Sequence, residues 1–459
     1  MLFQVTTSVS WQSVLLYGSG LLVILLAVVR PLYNVYFHPL RKYPGPKLWA
    51  ASSLPWGFSF LAGEIHNSLM DLHNKYGSVV RVAPDELSFS SPDAWEDVYG
   101  RYKAGKRKEN MKPNWYASRD SNDILGAELG DHGRIRKVLD FGFTTSAMLD
   151  QEPAIMGFVD LLFERLKARA GDASVDVWKW YLYTLFDITG NLAYGEPFGC
   201  LEQSMMHPWV DFVISNIKLT YILLLCMRIP FFFFYSPVIA TSMSREELYS
   251  NALTLTLAGA ETTASALSAV TYMLGTHPDV KAKADQELRA TFSRESEIDM
   301  QSSMKLQYLA AVIDEAFRYH PPGPNALWRQ TPPEGNWILG EWIPGKTIVG
   351  IPSRVIYRSE CNFKRADEFI PERWLSDEKG PEFANDRRDA FQPFSYGPRN
   401  CLGMNLARAE MHYIIARLLW NFDIELTADS RDWLHRQKSY LMWEKGGLYV
   451  HLRLKQHAI

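Results

Sequence analysis

Cys401 sits in the stretch FSYGPRNCLGMNLARAE, Phe394 to Glu410, where glycine and proline break any regular element before it and a run of Ala, Leu and Arg reads as a helix after it. A cysteine at a helix start meets unpaired backbone N–H groups and the positive end of the helix dipole. Both favour the thiolate, the form that attacks an electrophile or binds a metal. The alternative is an inert buried thiol, which is what most free cysteines are. A second stretch, LTLAGAETTASALS from Leu255 to Ser268, lies in the middle of the longest helical pattern. Ala258, Gly259 and Ala260 leave a gap in the side chains there, and Thr262 can donate back to the carbonyl of Ala258 and loosen one helical hydrogen bond. The same residues would also serve a close contact between two packed helices. Glu315 and Arg318, three apart in IDEAFRYHPP, share a helix face and can pair. His132 and Arg136, four apart in DHGRIRKVLDFGF, share another.

The other chemistry that cysteines offer is not expected. Cys200, Cys226, Cys361 and Cys401 are widely spaced, without a CxxC pair, an HExxH motif or a phosphate-binding glycine loop. A formal net charge of −3 with both signs interspersed excludes a nucleic-acid binder and points to small apolar partners. No N-x-[ST] sequon occurs, which suits a body in a reducing compartment.

Phe394, Gly397, Arg399, Cys401 and Gly403 fit the pattern F-x-x-G-x-R-x-C-x-G, with Ala407 following. Five such fixed positions arise by chance in a chain of this length with odds on the order of one in ten thousand. The stretch resembles the haem-thiolate loop of the cytochrome P-450 family, and the resemblance runs from YFHPLRKYPGP to LMWEKGGLYVHLR. It implies haem b as cofactor with Cys401 as the axial iron ligand, a thiolate that favours O–O cleavage. Phe394 would shield the sulfur, and Gly397 and Gly403 would let backbone approach the porphyrin. The Leu255 to Ser268 stretch resembles the family's oxygen-binding helix, A-G-x-[DE]-T. That likeness makes Glu261 and Thr262 the acid and alcohol that relay protons, beside a groove at Ala258 and Gly259. Arg373 in FIPERW matches the third member of the family's Glu-Arg-Arg network, with Glu315 and Arg318. His132, standing where tryptophan is usual, is an implied donor to the haem propionates with Arg136, Arg329 and Arg399. The implied activity is a monooxygenase resembling microsomal enzymes of fungal secondary metabolism. It would use O2 and electrons from an NADPH-dependent reductase to oxidise an apolar small molecule, with Arg134, Lys137 and Arg408 as a basic face for that reductase. A haem-thiolate enzyme that uses no oxygen would have no need of Glu261 and Thr262.

The elements that must position these residues are mostly helical by period: Asp131 to Leu139, Glu246 to Leu274, Asp279 to Thr291, Leu306 to Tyr319 and Met404 to Trp420. Alternation predicts short strands at Gly77 to Pro92 and Trp337 to Ser353. The expected fold class is mainly α with small β-sheets, the cytochrome P-450 fold. Residues 1–29 carry no charge, and Val14 to Val29 is apolar enough to span a bilayer. Residues 1–30 are therefore expected to be an uncleaved transmembrane anchor, 31–47 a stiff, non-helical, proline-rich neck and 48–459 the haem-binding monooxygenase domain. Arg30, Arg41, Lys42 and Lys47 all follow the span, so the body is expected in the cytoplasm, held single-pass at the endoplasmic reticulum membrane. Between Glu202 and Ser244 only about forty residues remain, too few at 1.5 Å rise to build the several helices that roof the pocket in the family. Part of that region, the F, G and H helices, is expected to be missing, which leaves an inactive haem-binding remnant as an alternative.

Overall fold

A computed structural model of the protein describes residues 17–19, 28–101, 108–113, 115, 122–171, 174–227, 243–375 and 381–456. The longer helices are α1 (Ile65–Tyr76), α2 (Leu129–Leu139), α3 (Thr145–Lys167), α4 (Val177–Tyr194), α5 (Pro208–Met227), α6 (Arg245–Thr276), α7 (Pro278–Thr291), α8 (Gln307–Tyr319) and α9 (Met404–Asn421). The helical periods read from the sequence fall within α2, α6, α7, α8 and α9 to within a residue or two of their ends.

The strands are short. β1 (Val79–Ala83) and β2 (Glu86–Phe89) form an antiparallel hairpin that β7 (Ile348–Gly350) extends in parallel and β4 (Arg329–Gln330) closes antiparallel. β3 (Val175–Asp176) and β8 (Phe422–Leu426) flank β11 (Tyr449–Leu454). Two further hairpins pair β5 (Asn336–Ile338) with β6 (Glu341–Ile343) and β9 (Lys438–Ser439) with β10 (Trp443–Glu444). The architecture is mainly helical with small sheets, as expected.

Helix α6 is the organising element, 32 residues long. It starts on a capping box, in which the Ser244 hydroxyl accepts from the Glu247 N–H and the Glu247 carboxylate accepts from the Ser244 N–H, so two orphan donors are satisfied. It lies along α4, where the buried Tyr181 and Thr271 hydroxyls meet at 2.8 Å. A Cβ at Gly259 would stand 3.0 Å from the Thr189 methyl, so the missing side chain lets α6 and α4 approach closely. The main core gathers Phe163, Phe186, Leu267, Ile313, Ile414 and Val450 from α3, α4, α6, α8, α9 and β11. Burial at this scale is the dominant favourable term in folding. Behind it lies a buried ionic network. Arg318 grips both Glu315 oxygens at 2.8 Å, Arg373 reaches Glu315 at 3.1 Å and Asp386 at 2.6 Å, and Trp374 donates to Glu315 at 2.9 Å.

One expectation is corrected. The 31–47 stretch is not uniformly non-helical, because Arg30–Tyr36 is an α-helix with Pro31 in its first turn. Proline there lacks only an N–H that no helical carbonyl would accept, and its fixed φ suits the helix. Among the described residues no helix is long and apolar enough to cross a membrane. The span expected at Val14 to Val29 lies outside them apart from residues 17–19, 28 and 29, and the stretch from Phe234 to Ser244 lies outside them up to residue 242.

Candidate active site

The Cys401 loop is built by backbone. Cys401 N–H donates to Phe394 O at 2.8 Å, which closes the turn, and Gly397 to Arg399 make one turn of 3-10 helix inside it. Gly397 has φ of +79°, and a Cβ on it would stand 2.0 Å from the Tyr99 carbonyl oxygen. No side chain fits there, so glycine sets how deep the loop sits. Gly403 is the cap of α9. Phe394 packs edge-on against Phe317 with ring centroids 5.4 Å apart, and the Arg408 guanidinium lies 5.2 Å from its ring.

The Cys401 side chain is exposed to solvent, yet the protein around it is close enough to desolvate it. Burial pushes its thiol up, while the Gly403 N–H and the charge of Arg136 pull it down. Arg136 is committed to this loop: it donates to Asn400 O at 2.6 Å and Asn400 Oδ1 at 3.2 Å, and to Asp140 at 2.9 Å. The sequence pairing of Arg136 with His132 as propionate donors thus divides in the structure, with Arg136 bracing the residue before the cysteine. A cleft of about 460 Å³, lined in part by Glu96, Arg136, Tyr396 and Asn400, opens beside it.

His132, Arg329 and Arg399 do come together, and Lys112 joins them. Arg399 donates to Ala127 O at 3.0 Å; its buried Nε lies 3.5 Å from the Glu109 carboxylate but makes no hydrogen bond. Arg329 is buried, bonded to the carbonyls of Leu327 and Trp328, with its guanidinium 5.0 Å from the Tyr99 ring. Burial holds His132 down at about 3, helped by Arg399, Lys112, Arg136 and Arg329. Burial also holds Lys112 down at about 7, with Arg329 and Arg399 adding to the effect and Asp123 opposing it. Cations that depress one another in a buried place call for an anion. Haem carries two carboxylates, so the residues present fit the group: a thiol held in a backbone turn, and a cation cluster that Arg399, two residues earlier, brings to the same loop.

On α6 the Thr262 hydroxyl donates to Ala258 O at 2.5 Å, the back-bond its spacing predicts. Ala258 is exposed and Thr262 half-exposed, so this part of the helix borders open space. Gly259 instead serves the α4 contact. Glu261 is buried and forms an ion pair with Lys445. The expected basic face is largely engaged within the chain, since Arg134 pairs with Glu247 at 2.6 Å and Arg408 with Asp314 at 2.9 Å; Lys137 is exposed. Sequence reasoning missed Lys112, Glu109 and Lys445. No local pattern marks them, because each meets its partner only through the fold.

The sequence profile of the cytochrome P-450 family matches residues 43–240 and 237–451. The chain is 50% identical to cytochrome P-450 monooxygenase bet2 of Neocamarosporium betae over 490 aligned positions, covering 97% of this chain and 94% of the relative. It is 41% identical to averantin hydroxylase of Dothistroma septosporum over 466 positions, covering 92% and 88%. It is 38% identical to trichothecene C-15 hydroxylase of Fusarium sporotrichioides over 482 positions, covering 95% and 96%. All three alignments are longer than the 459-residue chain, so each relative has residues where this chain has a gap. The two family matches meet at residues 237–240, between Phe234 and Ser244.

Proposed function

Because the chain belongs to the cytochrome P-450 family and is a haem-dependent monooxygenase, we propose that it hydroxylates or otherwise oxidises an apolar small molecule of secondary metabolism, with electrons from an NADPH-dependent reductase. The hydroxylase names of two relatives support this substrate class. The observation that carries the site assignment is the junction of Cys401, in its backbone turn, with the buried cations reached through Arg399. Haem, when bound, supplies the redox chemistry that activates dioxygen. Cys401 would hold the iron, with Gly403 N–H and Arg136 favouring the thiolate. His132, Lys112, Arg329 and Arg399 would hold the propionates. Thr262 would present a hydroxyl to the site and Glu261 would resupply its proton. Exclusion of bulk water would keep the transferred oxygen for substrate.

The body is further proposed to sit in the cytoplasm at the endoplasmic reticulum membrane, anchored by residues 1–30, where a membrane-bound reductase can reach the cleft beside Asn400. A reduced carbon monoxide difference spectrum tests the site. The wild-type protein is expected to give the thiolate-type band and Cys401→Ala to lose it, whereas Cys361→Ala, at an exposed cysteine, keeps it. A Cys401→Ala protein with the wild-type band would overturn the assignment.

The gapped alignments favour a second reading, in which this shortened form binds haem but turns over poorly. The gap is proposed to fall at the 237–240 junction and to remove helices that roof the pocket. Substrate-induced spectral shifts with normal, tightly coupled turnover would reject it.

A further inference from the structure

The Lys445–Glu261 ion pair joins residues 184 apart in sequence, and its side chains are only 2% and 7% exposed. Lys445 Nζ also donates to Trp443 O at 3.3 Å and stands 5.7 Å from the Trp178 ring at the start of α4. Ser265 Oγ, one turn along α6, donates to Glu261 O at 2.8 Å and lies 3.3 and 3.4 Å from the two carboxylate oxygens. The lysine is not carried on a free loop. Trp433 donates to Gly446 O at 2.9 Å, Leu448 N–H to Asp176 at 3.0 Å, and Val177 N–H to Leu448 O at 2.9 Å. A Cβ at Gly447 would stand 2.6 Å from the Asp176 carboxylate, so the segment is pressed against the side chains at the start of α4.

Glu261 directly precedes Thr262, yet its carboxylate is held by a cation from the far end of the chain. A buried carboxylate without a partner takes up a proton, because burial disfavours the charged form. The lysine supplies that partner and fixes where the carboxylate points.

We propose that Lys445 is a positioning residue for proton delivery: its ion pair ties Glu261 to the C-terminal segment and holds the carboxylate where it can pass a proton to Thr262. The inference rests on the reading of Glu261 and Thr262 as acid and alcohol. In the step, a solvent proton bonds to a Glu261 oxygen as the Lys445 N–H···O bond breaks. Glu261 then gives that proton to Thr262 Oγ1, while the hydroxyl's own proton leaves Ala258 O and enters the site. One proton comes in and one is delivered; Lys445 stays an ammonium throughout.

The full-length protein loaded with haem, with reductase and NADPH and no organic substrate added, is assayed for how consumed oxygen divides between hydrogen peroxide and water. In Lys445→Met the water share is expected to fall by about tenfold, below the full range that general acid catalysis contributes. Infrared spectra at neutral pH should gain a protonated-carboxyl band that Lys445→Met with Glu261→Gln lacks. Lys445→Arg should restore both wild-type readouts. Unchanged partition and no new band, with the thiolate-type carbon monoxide spectrum intact, would overturn the inference.

If the single variant does not fold, the double variant, with both charges removed, is compared with Glu261→Gln alone. Equal partition supports action through Glu261, and a further shift overturns it. If the wild type lacks the thiolate-type spectrum, the site reading has failed, and the infrared band alone decides whether Lys445 acts on the Glu261 carboxylate.

Discussion

Burial, with Arg329 and Arg399, holds Lys112 down at about 7 although Asp123 opposes them. A carboxylate beside it stabilises the ammonium and raises that value. Haem binding to the apoprotein is therefore expected to take up a proton near pH 8, and affinity should fall as pH rises above 7, where the free protein has lost the charge. Proton uptake in weak buffer, followed with an indicator dye, checks this; Lys112→Met should abolish it and weaken haem retention by roughly tenfold, about the strength of one charge-assisted hydrogen bond. Thr262→Ala should leave haem bound but raise the peroxide formed per NADPH, because the hydroxyl now bonded to Ala258 O is lost. Unchanged peroxide would make Thr262 a packing residue. At this scale the sequence carried what is local. Cys401, Thr262 with its back-bond, and the Glu315–Arg318 pair each depend on neighbours within a turn or a loop. Lys112 and Lys445 were illegible, since their partners are supplied by elements distant in the chain.

Among the elements, α9 carries an unusual group. The Glu410 carboxyl is buried, one of its oxygens has no hydrogen-bond partner, and burial pushes it up to about 8 from an ordinary 4.5. The folded protein thus holds it neutral while the unfolded chain ionises it, and stability is lost as pH rises from 4.5 towards 8. Glu410→Gln should stabilise by on the order of 3 kcal/mol at pH 7.5 and by almost nothing at pH 4, measured by thermal unfolding at both. The network behind α8 works in the opposite sense. Glu315→Ala would leave the buried Arg318 without its carboxylate and Arg373 with Asp386 alone, at a cost of about 3–5 kcal/mol, and a variant that kept its melting temperature would deny the network a structural role. Helices were legible because apolar periodicity is a property of the element itself. The Arg30–Tyr36 helix was misread because proline has a permissive role in a first helical turn, and of the two readings open for Gly259 the close helix contact became visible only with Thr189 beside it.

For the molecule as a whole, anchor and body are expected to separate. Deleting residues 1–29 should lower membrane association in a flotation assay and leave the carbon monoxide spectrum intact; loss of haem would make the first segment part of the fold. The gap is the larger question. Cys401, Thr262, Glu315, Arg318 and Arg373 are all present, so loss of one block is a simpler history than gradual decay. Transcript sequencing across the locus is expected to reveal an in-frame segment at the 237–240 junction. Grafting the corresponding segment of the Neocamarosporium betae relative there should raise coupling, since a closed pocket holds a C–H bond in place and keeps water out.

Just after that junction, the first turn of α6 is complete in itself. Ser244 and Glu247 satisfy one another, and Arg134 locks Glu247 from α2, so the helix start is held without the residues directly before Ser244. For protein engineering this is a cassette boundary. Segments of different length and polarity can be exchanged ahead of Ser244, and a library built at that one seam would vary the chain there while the cysteine turn and the cation cluster stay constant.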